Sequence, residues 1–134
     1  MKNFILFCTM ISALFARDIC DDDFMIKTVN ELNAQSPIVV DKSTMLKNTF
    51  CSNNTIIYSM ILVDSDEVKW DSLDKIELNE IKYVMKEMAK NNYCTHPNME
   101  LIRTLEMSLR YDYSLINNKF LFSTHINPSE CGGF

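Results

Sequence analysis

The sequence predicts an α+β fold: an antiparallel sheet of about four strands with helices packed on one face, stapled by disulfides. Three observations carry this. Thr55 to Val63 is β-prone throughout, apolar residues recur at helical spacing from about Leu73 to Asn92, and apolar and polar residues alternate between Met107 and Ile126. A period near 3.6 marks a helix with one buried side, and a period of two marks a strand with one buried side. Helices laid on a sheet bury both kinds of face together.

The chain opens with Lys2, an apolar run from Phe4 to Leu14, and Ala13-Leu14-Phe15-Ala16 before Arg17. This is the layout of a secretory signal peptide spanning residues 1–16, cleaved ahead of Arg17. The run is shorter than the roughly 18 residues that a membrane span needs. Residues 17–134 are therefore expected to form one soluble domain, periplasmic or secreted, without membrane insertion once the leader is removed. Neither Cys8 nor Cys20 follows the small residues that a lipid anchor requires, so no lipidation is expected.

Beyond the leader, Asp21-Asp22-Asp23 precedes Met25, Val29 and Leu32, which predicts a first helix with acids at its N-terminus. Ser36-Pro37 ends it, because proline lacks an amide donor and biases its predecessor to extended backbone. Ile38-Val39-Val40 and Thr44-Met45-Leu46 read as β pieces, and Ser52-Asn53-Asn54 as a turn. Both alternate sets of Thr55–Val63 are apolar, which predicts a central strand covered on both faces. Ser72 is the expected N-cap of the long helix, whose broad stripe contains Ile76, Leu78, Ile81, Val84, Met85 and Met88. A short helix is expected from Pro97. Met107 to Ile126 reads as a hairpin turning at Asn117-Asn118, since asparagine tolerates positive φ.

Of five cysteines, Cys8 lies in the leader, leaving Cys20, Cys51, Cys94 and Cys131. An even number in an exported chain, without C-x-x-C spacing, points to disulfides over zinc or redox chemistry. Four cysteines allow three connectivities. Cys94 ends the long helix and Cys131 follows the last strand, so pairing them ties two elements that should pack together. Cys20 and Cys51 are then left for each other.

The composition, 47% hydrophobic and 23% charged, is that of a globular protein. Acidic residues outnumber basic ones 18 to 13, for a net charge of −5, and no basic cluster occurs. Nucleic acid is thereby excluded as a partner class. The only glycines are Gly132 and Gly133, which excludes the glycine-dependent phosphate loops and nucleophile elbows. His96 and His125 are the only histidines, and no metal-binding motif includes them. Ser72-Leu73-Asp74-Lys75 matches S-x-x-K without its companion motifs, and Val68 and Lys69 break the calcium-loop pattern begun at Asp64. No cofactor, metal or catalytic residue is expected. Trp70, with Asp64, Asp66 and Glu67 of the neighbouring acidic loop, forms the candidate interaction surface.

Leu32-Asn33, Pro37-Ile38-Val39-Val40-Asp41, Thr44-Met45-Leu46 and Tyr58-Ser59-Met60 are followed by Cys94-Thr95-His96-Pro97-Asn98-Met99, Leu109-Arg110-Tyr111-Asp112-Tyr113 and Pro128-Ser129-Glu130-Cys131. In this order and spacing the chain resembles the family called "putative quorum-sensing-regulated virulence factors", small exported bacterial proteins. The resemblance spans nearly all of residues 17–134. The family's usual glycine before the first hairpin strand is replaced by Leu105-Glu106. The resemblance implies a periplasmic or secreted α+β protein, supports the Cys94 and Cys131 pairing, and transfers no catalytic residue. The resulting expectation is a non-enzymatic interaction or envelope-accessory protein associated with virulence, acting on an unidentified protein partner. A small secreted hydrolase and an inhibitor or immunity-type protein are the alternatives, and homodimerisation stays open.

Overall fold

The computed structural model describes residues 17–132; the leader expected over residues 1–16 lies outside them, as do Gly133 and Phe134. Along the chain come α1 (Asp23–Gln35), β1 (Ile38–Asp41), β2 (Thr44–Ser52), β3 (Thr55–Leu62), α2 (Lys75–Thr95), α3 (Glu100–Thr104), β4 (Ser108–Leu115) and β5 (Phe120–Ile126). Short 3-10 turns lie at Ile19–Asp21, Trp70–Ser72, Pro97–Met99 and Pro128–Cys131. The fold is α+β: helices and two disulfides accompany a sheet of five strands in the order β1-β2-β3-β4-β5.

Two details of the sheet differ from expectation. The strands number five, because Ile38–Asp41 and Thr44–Ser52 are two separate strands paired antiparallel, the second running on to Ser52. The sheet is mixed, because β3 and β4 are parallel, from Thr55 opposite Ser108 to Leu62 opposite Leu115. The chain leaves β3, returns through α2, and so begins β4 at the end where β3 began; parallel neighbours need such a crossover. The remaining pairs are antiparallel hairpins. Asn53 and Asn54 both take positive φ at the β2–β3 turn, as does Asn118 at the β4–β5 turn.

The core lies on one side of the sheet. Ile56, Leu109, Ile126 and Met107 pack with Met25 of α1 and Tyr93 of α2. Leu46, Met60, Leu62, Tyr113, Leu115 and Phe122 form an adjoining cluster with Trp70, against which Leu78, Ile81 and Met85 of α2 pack. Tyr58 and Tyr111 border both clusters and stack with ring centroids 5.1 Å apart. Burial pushes the phenols of Tyr58 and Tyr111 up, and that of Tyr113 to about 12. The opposite side carries Phe50, Ile57, Ile61, Arg110, Asp112, Ser123 and His125, and among the described residues no helix covers it. Among the described residues β3 is therefore covered on one face only, because α1 rests on β2 and α2 on β5, both from the same side.

The start of the described chain is pinned by one carboxylate. Asp18 accepts backbone N–H groups from Asn54, Cys20 and Asn53, each at 2.9 Å, and Ile19 N–H donates to Asn54 Oδ1. The Asn54 and Cys20 amides, followed by that of Asn53, hold the Asp18 pKa below its ordinary value against an opposing desolvation. The unfolded chain therefore takes up a proton first as pH falls. This contribution is present above the unfolded pKa, about 4, and is lost as pH drops through the folded one. Urea midpoints between pH 7 and 2.5 should fall less steeply in Asp18→Asn than in the parent. A slope remains in the variant, because Glu130 is also held low: burial opposes, but the Asn127 amide and Lys86 outweigh it.

Asn33 anchors α1 to the sheet. Its Nδ2 donates to Thr49 O at 2.8 Å, and its Oδ1 accepts from Thr49 N–H at 2.7 Å, so one amide imitates a neighbouring strand at a point of β2 that β1 does not reach. Asn33→Ala leaves both backbone groups partnerless in a part-buried place, and should cost about 2 kcal/mol in urea unfolding. A change within 0.5 kcal/mol would show that water replaces the amide without loss.

Candidate functional site

α2 begins at Lys75, two residues after the expected start. Asp74 caps it by accepting Glu77 N–H at 2.8 Å, while Glu77 Oε2 accepts Asp74 N–H at 2.9 Å. Ser72 instead sits in the preceding 3-10 turn, its hydroxyl donating to Lys69 O. From this start, Leu78, Ile81, Met85, Ala89 and Tyr93 follow one another three or four residues apart and face the sheet. The buried stripe is narrower than expected. Ile76, Tyr83, Val84 and Met88 point away from the core and are 70%, 66%, 54% and 68% exposed.

These four outward residues fall within an arc of roughly 140° at 100° per residue. Glu77, Glu80 and Glu87 share that arc and are exposed. Lys75, Lys82, Lys86 and Lys90 occupy the adjacent flank. Lys86 reaches Glu130 at 3.2 Å, and Lys90 comes within 3.9 Å of Glu87. Ile76, Asn79, Glu80, Tyr83 and Val84 line a shallow depression. α2 thus carries apolar residues on the face turned away from the sheet as well as on the face packed against it.

The residues singled out from sequence are dispersed. Trp70 is buried at 8% exposure, with its indole N–H donating to Val63 O at 3.2 Å, so it cannot present a contact surface. A large ring at the sheet's open end excludes more water by packing on Leu62 and Leu115 than by projecting from the loop. Asp64 is exposed and accepts Trp70 N–H, which gives it a part in closing that loop; Asp66 and Glu67 are exposed. Cys20 pairs with Cys51 and Cys94 with Cys131. A cavity of about 180 Å³ beside the second bridge is lined by Glu87, Lys90, Asn91, Thr95 and Glu130. His96 accepts Asn98 N–H in the turn after α2, whereas His125 lies on the uncovered sheet face opposite Arg110. That face also holds Arg110 clamped in bidentate fashion on Asp112, which Ser123 approaches through its hydroxyl. Among the described residues, no His/Cys/Asp/Glu group is arranged to hold a metal ion, and no helix is long and apolar enough to cross a membrane.

Sequence reasoning merges the outward stripe with the inward one. The signal that separates them is a helix whose apolar positions spread over more than one face.

No known protein family matches the sequence, and no curated protein does. Solved structures with the same fold do exist. A "putative secreted protein" from Pseudomonas aeruginosa matches with a TM-score of 0.63 at 10% identity, over 81% of this chain and 89% of that one. The pilotin EpsS of the Vibrio vulnificus type 2 secretion system matches with a TM-score of 0.61 at 13% identity, over 81% and 88%. The type II secretion pilotin AspS of Vibrio cholerae matches with a TM-score of 0.54 at 10% identity, over 78% and 86%. At these identities the likeness is one of fold.

Proposed function

We propose that this chain is an exported, non-enzymatic accessory protein, freed from a leader at residues 1–16, that works by holding a protein partner on the outer face of α2. The observation that carries the reading is the set Ile76, Tyr83, Val84 and Met88, exposed together on a helix whose other side is already packed. Neighbours of the same fold, one secreted protein and two pilotins of secretion systems, support an accessory role in the envelope or in export. The resemblance to quorum-sensing-regulated virulence factors extends the proposal to virulence.

The test places a photocrosslinking residue at Tyr83, and as a control at exposed Lys42, in the protein expressed with its leader in a bacterial envelope. A discrete adduct from position 83, absent from position 42 and lost in Val84→Asp, is the expected result. Val84→Asp should leave the thermal midpoint within about 2 °C, because that side chain is half exposed. Identical labelling from both positions would remove the α2 face from the function.

A further inference from the structure

We propose that the partner segment seated on α2 is a basic amphipathic helix, with aliphatic residues along its middle and arginine or lysine at its rim. This rests on the reading of α2 as a docking face and specifies what it takes. The apolar stripe supplies the contact that an amphipathic helix uses in recognition, with anchors repeating over two turns from Ile76 to Tyr83 and Val84.

The charges beside the stripe choose among occupants. Glu80 lies three residues before Tyr83 and Glu87 four after it, so on the helix surface a carboxylate stands on each side of an exposed aromatic ring. A guanidinium lying on Tyr83 would meet the negative ring face and both carboxylates. Glu80 makes no ion pair among the described residues, and Glu87 has only the distant, exposed contact with Lys90. The acids are thus available to a partner.

A second copy is disfavoured by the same charges. Stacking α2 antiparallel on α2 about a two-fold near Lys82 superposes Ile76 on Met88 of the other copy, but sets Glu77 against Glu87. A parallel two-fold sets Glu80 against Glu80. Like charges facing across a helix contact oppose association. An anionic membrane is opposed by the net charge of −5 and by the three acids in the arc; of the lysines on the adjacent flank, Lys86 is engaged by Glu130 and Lys90 lies near Glu87.

The experiment uses the oxidised protein, residues 17–134, and two fluorescent 18-residue helical peptides. Both carry the same leucine face; one has arginine along its rim and the other glutamate. By anisotropy, the arginine peptide should bind about tenfold more tightly, and the preference should shrink in 0.5 M salt. Glu80→Lys with Glu87→Lys should reverse the order of the two peptides, Tyr83→Leu should lower the arginine preference, and Val84→Asp should weaken both. Arginine-peptide binding that survives both the charge reversal and Val84→Asp would reduce the effect to general attraction and overturn the proposal. So would self-association that Val84→Asp abolishes, or cosedimentation with phosphatidylglycerol vesicles. If the Tyr83 crosslink captures a partner whose bound segment lacks basic residues, this inference fails while the docking role of α2 stands.

Discussion

Reduction of the two disulfides should bring the domain close to unfolding at neutral pH. The bridges join residues 31 and 37 apart in sequence. Loops of that size, on the chain-entropy account, contribute about 3.7 and 3.9 kcal/mol at 25 °C. Their sum is comparable with the ~5 to 15 kcal/mol that holds an ordinary domain together. The two need not be equal. Cys20 is buried at 8% exposure in the cluster around Met25 and Ile56, whereas Cys94 and Cys131 border open space. Replacing Cys20 and Cys51 by alanine should therefore lower the urea midpoint more than replacing Cys94 and Cys131, since it also leaves a void under α1. Trp70 fluorescence reports both. An unchanged midpoint in reductant, with four thiols titrating, would mean that the core alone suffices.

Tyr93 should be the most sensitive single position on α2. It is 0% exposed, packs between α2 and the sheet, and donates its hydroxyl to Met107 O at 2.8 Å. Its own carbonyl accepts from Arg103 at 2.6 Å, so one residue joins α2, α3 and the entry to β4. Tyr93→Ala removes the ring and strands the Met107 carbonyl, for an expected loss of about 4 kcal/mol. Tyr93→Phe retains the ring and should cost about 1 kcal/mol. Equal losses would assign the effect to the hydrogen bond, and a mild alanine variant would show that α2 can settle onto Leu109 and Ile126 without the ring.

Both expected results begin in features the sequence displays unevenly. Four cysteines between Arg17 and Phe134 are visible at once, and their wide spacing excludes compact metal motifs. Tyr93 does not stand out, because the apolar pattern of the helix fades near Asn92. The Asp74–Glu77 pair marks where the helix starts, and Pro97, which biases His96 to extended backbone, marks its end at Thr95, but neither says that Tyr93 lies on the buried side. Alternation gives the hairpin's dry and wet faces from Leu109 to Tyr113 and from Phe122 to Ile126, but not the register shift between Tyr113 and Ser114, which leaves Phe120 exposed near the turn. The candidate site is legible only as an excess: the α2 segment holds more apolar positions than one buried stripe requires.

What the sequence by itself determined is local. Period and turn chemistry specified a first helix ending before Pro37, a long helix from about Leu73 to Asn92 where the structure has Lys75–Thr95, the β5 return strand and the asparagine turns. The near absence of glycine removed whole classes of phosphate and acyl chemistry. What only the tertiary structure decided is which neighbour each face meets. β3 and β4 are parallel because α2 crosses back over the sheet, Ile57 and Ile61 lie on the face that no described helix covers because α1 and α2 took the other, Trp70 turned inward, and Val84 turned outward while Met85 beside it turned in. Periodicity records which residues share a side; it holds no record of what covers that side, because coverage is set by contacts between segments far apart in the chain.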